Sequence, residues 1–458
     1  MNDWRGKRVT VMGLGRFGGG VGVTRWLVEV GACVRVTDLA PAEELRDSLD
    51  AIADLGVELR LGGHDAADFR DADAVVVSPA VSETSDFLAI ARQAGVAITT
   101  EINLFVQRCP ARCVGVTGSV GKSTTTAMVG HVLERTLTGR RVWVGGNLGR
   151  SLLADLPHIR ADDLVVLELS SFQLLRTPAV GWSPHIAVLT NLAPNHLDWH
   201  GTFEAYVAAK RNIAAFQNSL RDFIVAPHDP AFARLFDATG KLRPRTWRFG
   251  LADGTPFARP ADGTPQAVAT REIRWPELRL HVPGLHNRLN AAAALAAAHL
   301  LGVEPLAAAR ALASFAGLPH RLELVAESAG VRYYNDSKAT TPDATLTALD
   351  AIESPVLVIL GGYDKKLDLR PVVRAAAERA RFSACMGQTG AGLCDAIRAA
   401  GGQAEFFESL EAAVAACRRR ARSGDAVLLS PACASWDMFL DYRARGEAFA
   451  RAAGRLAT

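Results

Sequence analysis

Arg112-Cys-Val-Gly-Val-Thr-Gly-Ser-Val-Gly-Lys-Ser-Thr124 decides how this chain is read. The run from Arg112 to Thr117 has the apolar content of a buried strand, Gly118 to Gly121 forms a glycine-containing turn, and Lys122-Ser-Thr opens a helix. A strand that feeds such a turn and then a helix aims several backbone N–H groups at one point, where phosphate oxygens bind. The stretch departs from the general GxxxxGK[ST] pattern because Val116 stands where the first glycine belongs. Gly118, Ser119, Gly121, Lys122, Ser123 and Thr124 are the expected contacts to a nucleoside triphosphate. Lys122 supplies charge there, and the Ser123 hydroxyl can reach magnesium.

Lysine usage supports the same reading. The chain has seven lysines against forty-four arginines, and a lysine kept in an arginine-rich chain invites a chemical reason, because an ammonium can lose its proton and react. Lys122 lies in the phosphate loop. Lys338 lies in Asn335-Asp-Ser-Lys-Ala-Thr-Thr341, and Lys365 and Lys366 follow Leu360-Gly-Gly-Tyr-Asp364. Lys210 falls on an apolar helical stripe with Phe203, Tyr206, Val207 and Ile213. Lys7 and Lys241 look incidental.

With 458 residues, 49% of them apolar and 22% charged, several globular domains are expected. A net charge of +3 argues against nucleic-acid or membrane partners. Seven cysteines without framework spacing read as free thiols, and Cys109 with Cys113 lacks the second pair a zinc site needs. No signal peptide or membrane-spanning run is visible, so a cytoplasmic protein is expected.

Strands and helices alternate in three groups, which predicts three doubly wound α/β domains. The first, residues 1–107, is Rossmann-like, with strands at Arg8–Met12, Cys33–Thr37, Val57–Leu61, Ala74–Val77 and Ala97–Thr99. The second, residues 108–317, carries the phosphate loop and further strands at Val142–Val144, Leu164–Glu168 and Ile186–Leu189. It also holds a loop or hairpin excursion over Ala252–Thr264 and a helix over Asn290–Leu301. The third, residues 318–458, is again Rossmann-like, with strands at Val356–Leu360, Ala384–Met386 and Ala426–Leu429.

Gly13-Leu-Gly15-Arg-Phe-Gly18 follows the first strand, and Asp38 ends the next. That is the dinucleotide fingerprint, but the same geometry serves any nucleotide diphosphate, so an oxidoreductase and a UDP-sugar binder both remain open on this motif. Glu168, at the carboxyl end of its strand, can hold magnesium opposite the phosphate loop. His196 reads as a polar contact near the reacting phosphate. Burial on its stripe should lower the Lys210 pKa, and a neutral amine can add carbon dioxide to give a carbamate, an oxygen ligand suited to magnesium.

Taken together, these motifs resemble the Mur ligases, ATP-dependent amide-forming enzymes of peptidoglycan assembly, over essentially the whole chain. Gly145-Gly-Asn147-Leu-Gly149, Glu168-Leu-Ser-Ser-Phe-Gln173, Gly317-Leu-Pro-His-Arg321 and Leu429-Ser-Pro-Ala-Cys-Ala-Ser435 are similar to the glutamate-adding members. The resemblance implies UDP-N-acetylmuramoyl-L-alanine and glutamate as substrates, D-glutamate being expected and an L-glutamate-adding variant the alternative, with ATP and Mg2+, in a monomer. It places Gly15, Arg16, Phe17, Asp38, Ser78 and Pro79 at the UDP moiety, and Asn147 and His196 near the muramoyl group or the metal. Lys122, Ser123, Glu168 and a carbamylated Lys210 would serve ATP and metal. Asn287 and Asn290 would approach the nucleotide, with Arg321 and Asp336 over the phosphates and ribose. Lys338, Thr340, Lys365 or Lys366, Ser430 and Phe439 would hold glutamate.

Three departures stand out: Val120 in place of the usual Asn, Ala80 in place of Gly after Ser78-Pro79, and Thr341 in place of Asn. A positive backbone angle at Ala80 would be costly. Three rivals share parts of the pattern. They are a nicotinamide-dependent oxidoreductase, which gives the GKST loop no task; a P-loop switch or transport ATPase, which needs no amino acid; and folylpolyglutamate synthase, which should lack the nucleotide-binding first domain.

Overall fold

The computed structural model describes residues 3–16, 18–148, 151–236, 245–261, 271–276 and 278–454. Its architecture is three α/β domains, each built on its own, largely parallel sheet. The first sheet holds β1 (Arg8–Met12), β2 (Cys33–Asp38), β3 (Glu58–Leu61), β4 (Ala74–Val77) and β5 (Ala97–Thr99) in the order β3-β2-β1-β4-β5, all parallel. The strand order reverses at β1 and β4, so a crevice opens beyond their carboxyl ends. The glycine turn and Ser78 follow those two strands.

The second sheet contains β6 (Arg112–Thr117), β7 (Val142–Gly146), β8 (Leu164–Glu168), β9 (Ile186–Leu189), β10 (Phe223–Pro227), β11 (Arg245–Ala252), β12 (Thr255–Pro260) and β13 (Ile273–Arg274), in the order β13-β12-β11-β10-β9-β6-β8-β7. β6 lies between β8 and β9, so the phosphate loop, Glu168 and the segment after Leu189 emerge side by side. Val165, Val166, Leu167, Ile186, Val188 and Leu189 are buried, as expected for parallel strands covered on both faces.

The expected excursion over Ala252–Thr264 is an antiparallel hairpin that begins earlier, at Arg245; residues 262–264 lie outside the described residues. Asp253 and Gly254, both at positive φ, make its two-residue turn. The first and second sheets share one hydrophobic cluster that runs from Val9, Trp26 and Phe105 to Cys113, Val165 and Leu189. Accordingly Met1–Pro276 and Leu289–Ala309 form one compact unit.

Glu277–Arg288 and Arg310–Thr458 form the other unit. Its sheet has β14 (Glu323–Ser328), β15 (Val331–Asn335), β16 (Val356–Leu360), β17 (Ala380–Met386), β18 (Ala404–Phe407) and β19 (Ala426–Leu429), in the order β14-β15-β19-β16-β17-β18. An antiparallel β14–β15 hairpin edges an otherwise parallel sheet. Asp336, Ser430 and Gly361 follow the three adjacent strands β15, β19 and β16. Among the described residues no helix is long and apolar enough to cross a membrane.

Candidate active site

The phosphate loop is held from the β9 side. Asn191 Oδ1 accepts from the backbone N–H of Ser119 at 3.2 Å and of Val120 at 3.0 Å, and Asn191 Nδ2 donates to the Val120 carbonyl at 2.9 Å. The Thr190 hydroxyl donates to the same carbonyl at 2.6 Å. Ser119 Oγ donates to Ala193 O and accepts from the Ala193 N–H and from the Tyr206 hydroxyl. The backbone at Val120 is therefore fixed without the amide side chain usual there. At Gly118 (φ +150°) a Cβ would lie 1.9 Å from Thr190 Oγ1, and at Gly121 (φ +82°) it would lie 2.4 Å from Asn290 Oδ1. Both glycines are steric necessities. The helix Lys122–Thr136 starts at the loop, and the Lys122 ammonium bonds Ser119 O at 2.9 Å. Ser123 and Thr124, in its first turn, are partly buried.

Glu168 is 2% exposed. Its Oε1 accepts from Asn147 Nδ2 at 2.8 Å, while Oε2 is buried without a hydrogen-bond partner. Such an orphaned oxygen is costly unless a cation or donor meets it. Among the described residues no group of three His, Cys, Asp or Glu side chains gathers. A carboxylate at the end of the strand beside the phosphate loop, with the Ser123 hydroxyl in the first turn of the loop's helix, suits magnesium, which takes few protein ligands and completes its shell with phosphate oxygens and water. Glu168 and Ser123 are thus a chemically suitable donor set.

Lys210 ends up inside, as its stripe predicted, with 1% exposure. The helix Phe203–Arg211 is capped by Thr202 and places the Lys210 ammonium 2.9 Å from Gly118 O and 3.3 Å from Thr117 Oγ1. Burial first, and the Lys122 charge second, push its pKa down to about 7 against a partial counter-pull from Glu168. At neutral pH much of it is an uncharged nucleophile. His196 adopts φ +52°, an uncommon backbone state that histidine tolerates. Its ring lies 5.0 Å from Phe172, and burial with the Lys122 charge lowers its pKa. His200 stacks on the same Phe172 ring and shares a hydrogen bond with Ser171.

A cavity of about 390 Å³ joins the first and second sheets, lined by Gly13, Gly15, Ser78, Pro79, Glu101 and Asn147, among others. Asp38, expected at the UDP moiety, accepts from the backbone N–H of Gly15 at 3.0 Å and of Ala40 at 2.9 Å, so it shapes the glycine turn. Arg16 forms an exposed ion pair with Glu44. Phe17 lies outside the described residues. Ala80 carries no positive φ, so the alanine is unstrained.

In the other unit, Asp336 and Ser430 meet directly. The Ser430 hydroxyl donates to Asp336 Oδ2 at 2.9 Å, and the Leu322 N–H donates to Oδ1 at 3.2 Å. Burial raises the Asp336 pKa to about 7. Thr345 joins this network through the hydroxyl and carbonyl of Ser430. Lys338 lies 5.2 Å from the Tyr442 ring centre, and Thr340 N–H bonds Lys338 O. Phe439 packs against the apolar cluster of this sheet. Lys366 is exposed and paired with Asp364, while Lys365 is half-buried. Arg321 lies close enough to Asp336 to oppose the rise in its pKa, and Asn287 donates to Pro283 O at 2.7 Å. Asn290 belongs to the first unit, where its Oδ1 accepts from Thr125.

Sequence reasoning missed Thr190, Asn191 and Tyr206, which fix the phosphate loop, and Arg445. The Arg445 guanidinium is buried and bonds Ser337 and the Cys433 and Ala434 carbonyls, tying two loops of the site together. Only Asn191 carried a signal, as the polar residue two places past β9, next to the phosphate loop.

Three family profiles cover the chain: "Mur ligase MurD-like, N-terminal domain" over residues 7–100, "Mur ligase middle domain" over 116–298 and "Mur ligase, glutamate ligase domain" over 320–433. A UDP-N-acetylmuramoylalanine--D-glutamate ligase of Roseiflexus sp. is 41% identical, spanning 97% of this chain and 98% of the relative. One from Pelotomaculum thermopropionicum is 37% identical, spanning 98% of each. Among solved structures, UDP-N-acetylmuramate-alanine ligase MurC from Thermotoga maritima superposes with a TM-score of 0.60 at 21% identity, covering 97% of this chain and 98% of that one, a likeness of fold. Profiles and full-length relatives agree: the chain belongs to the Mur ligase family, in its MurD-like branch.

Proposed function

We propose that this protein joins D-glutamate to UDP-N-acetylmuramoyl-L-alanine at the expense of ATP, in the synthesis of peptidoglycan precursors. The observation that carries the reading is the pairing of a tightly held phosphate loop with the orphaned Glu168 oxygen and a buried, weakly basic Lys210. The MurD-like first domain argues against folylpolyglutamate synthase and the oxidoreductase. We take the domain boundaries at about residues 107 and 317, a reading compatible with the gaps between the matched profiles, and infer a cytoplasmic monomer.

The chemistry follows from the substrates. A carboxylate resists amide formation until one of its oxygens becomes a leaving group. The alanyl carboxylate attacks the γ-phosphorus of ATP, ADP departs, and an acyl phosphate results. Lys122 and the loop N–H groups hold and neutralise the phosphates, so that in-line positioning supplies much of the acceleration. Magnesium, when bound by Glu168 and Ser123, offsets charge between the two anionic reactants. The glutamate amine then adds to the acyl carbonyl, and the tetrahedral intermediate collapses with loss of phosphate. Lys338 is the candidate to offset that oxyanion. Thr340, Ser430, Phe439 and a lysine of the 365–366 pair are assigned to the incoming amino acid.

Lys210 is assigned to the metal site as its carbamate. The neutral amine adds carbon dioxide and loses a proton, which would leave an anionic carbamate oxygen beside the phosphate loop, suited to help hold magnesium there. The test of function is an omission experiment in which ADP and a new amide are followed with UDP-N-acetylmuramoyl-L-alanine, ATP and each glutamate enantiomer. Product is expected with D-glutamate and with all three reagents present. Turnover with L-glutamate alone, or ATP hydrolysis indifferent to the amino acid, would reject the assignment.

A further inference from the structure

The cavity between the first and second sheets has one wall made by Ser78, Pro79 and Ala80, yet that loop is not held by its own domain alone. Arg176, which is 8% exposed, reaches across from the second domain. Its Nη2 donates to Val81 O at 2.9 Å, and its Nη1 pairs with Glu83 at 2.8 Å. Trp199 Nε1, from the same domain, donates to Ala80 O at 3.2 Å. The backbone of Arg176 is fixed in turn, because buried Asn103 donates to its carbonyl at 2.9 Å.

The segment that carries Arg176 begins at Glu168. Between them lies a short helix, Ser171–Leu174, closed by a reciprocal cap: Ser170 Oγ accepts from the Gln173 N–H, and Gln173 Oε1 accepts from the Ser170 N–H. Ser170, Phe172 and Gln173 themselves line the cavity. Such a capped turn transmits position with little slack. One continuous piece of chain therefore runs from the carboxylate of the phosphate site to the far wall of the cavity.

We propose that Arg176 is a positioning residue that sets the Ser78–Pro79–Ala80 wall, and so the affinity for the diphosphate-bearing substrate, from the segment that also carries Glu168. This rests on reading the cavity as the UDP-substrate site. The planar Arg176 guanidinium serves Val81 O and Glu83 from two separate nitrogens in one fixed fork, whereas a lysine offers its donors from a single, more mobile point.

The experiment measures binding of UDP alone by calorimetry, and KM for each of the three substrates, in wild type, Arg176→Ala, Arg176→Lys and Glu83→Gln. Loss of charge-assisted bonds to the loop should weaken UDP binding and raise KM for the UDP substrate about tenfold in Arg176→Ala. Smaller changes are expected in Arg176→Lys and Glu83→Gln, and KM for ATP and glutamate should hold. If Arg176→Ala does not fold, the other two variants carry the test by the same split. Equal UDP binding in wild type and variants, or a fall in melting temperature with every KM unchanged, overturns the clamp and leaves the proposed function standing. A wild type that binds neither UDP nor the UDP substrate overturns the cavity assignment and the clamp with it.

Discussion

Lys210→Met separates the charge of Lys210 from its bulk. In the wild type the pKa falls from an ordinary 10.5 to about 7, mainly through burial. The folded state thus binds this proton less tightly than the unfolded state does. The sign is fixed by that difference: the group costs the fold its full penalty below about pH 7, and the penalty disappears as pH rises to 10.5. The gap corresponds to an upper bound of about 5 kcal/mol, at roughly 1.4 kcal/mol per pKa unit. Wild-type stability relative to Lys210→Met should therefore climb across that window by several kcal/mol. Urea denaturation of both proteins at intervals from pH 7 to 10 reads the difference. Turnover should be lost in Lys210→Met, while 13C-labelled bicarbonate should label the wild type and not the variant. A flat stability difference would refute the burial argument, and retained turnover would remove Lys210 from the chemistry.

Glu168→Gln keeps an acceptor for Asn147 but loses the charge facing the orphaned position, so the magnesium concentration for half-maximal activity should rise and kcat should fall by about 100-fold or more, read in a magnesium titration. Gly118→Ala meets Thr190 Oγ1 at 1.9 Å, and should lose about 3 kcal/mol of stability together with ATP binding, seen by thermal melting with and without nucleotide. Asp336, raised from 3.8 to about 7 by burial, penalises the folded state increasingly as pH rises through that interval. Melting curves should show wild type losing ground to Asp336→Asn between pH 4 and 7, and a constant difference would contradict the assigned cause.

Much of the fold was legible because parallel strands leave continuous apolar runs. β1, β4, β5, β6, β9, β16 and β19 have the limits that their apolar content suggests. The hairpin β11–β12 was half visible: the Asp253-Gly254 turn is a strong local signal, but the strand before it mixes arginine with aromatic residues and breaks the apolar run. Strand β10, a short apolar run at Phe223–Pro227, and the hairpin edge β14–β15 were missed.

The site divides the same way. Lys122, Glu168 and Lys210 announce themselves through position relative to a strand or a helical stripe. Asp38 was placed at the right turn, but its bonds to the Gly15 and Ala40 N–H groups, which shape that turn, could not be read from the sequence. Arg445 and Arg176 were invisible because each is one arginine among forty-four. Their roles come from partners that the fold, and not the neighbouring sequence, brings within reach.

The claim that everything else depends on is activation of the alanyl carboxylate by phosphorylation. Placing 18O in both oxygens of that carboxylate and following the released inorganic phosphate by mass spectrometry tests it most directly. One labelled oxygen per phosphate is predicted for each amide formed with D-glutamate; amide formation with unlabelled phosphate would contradict the account.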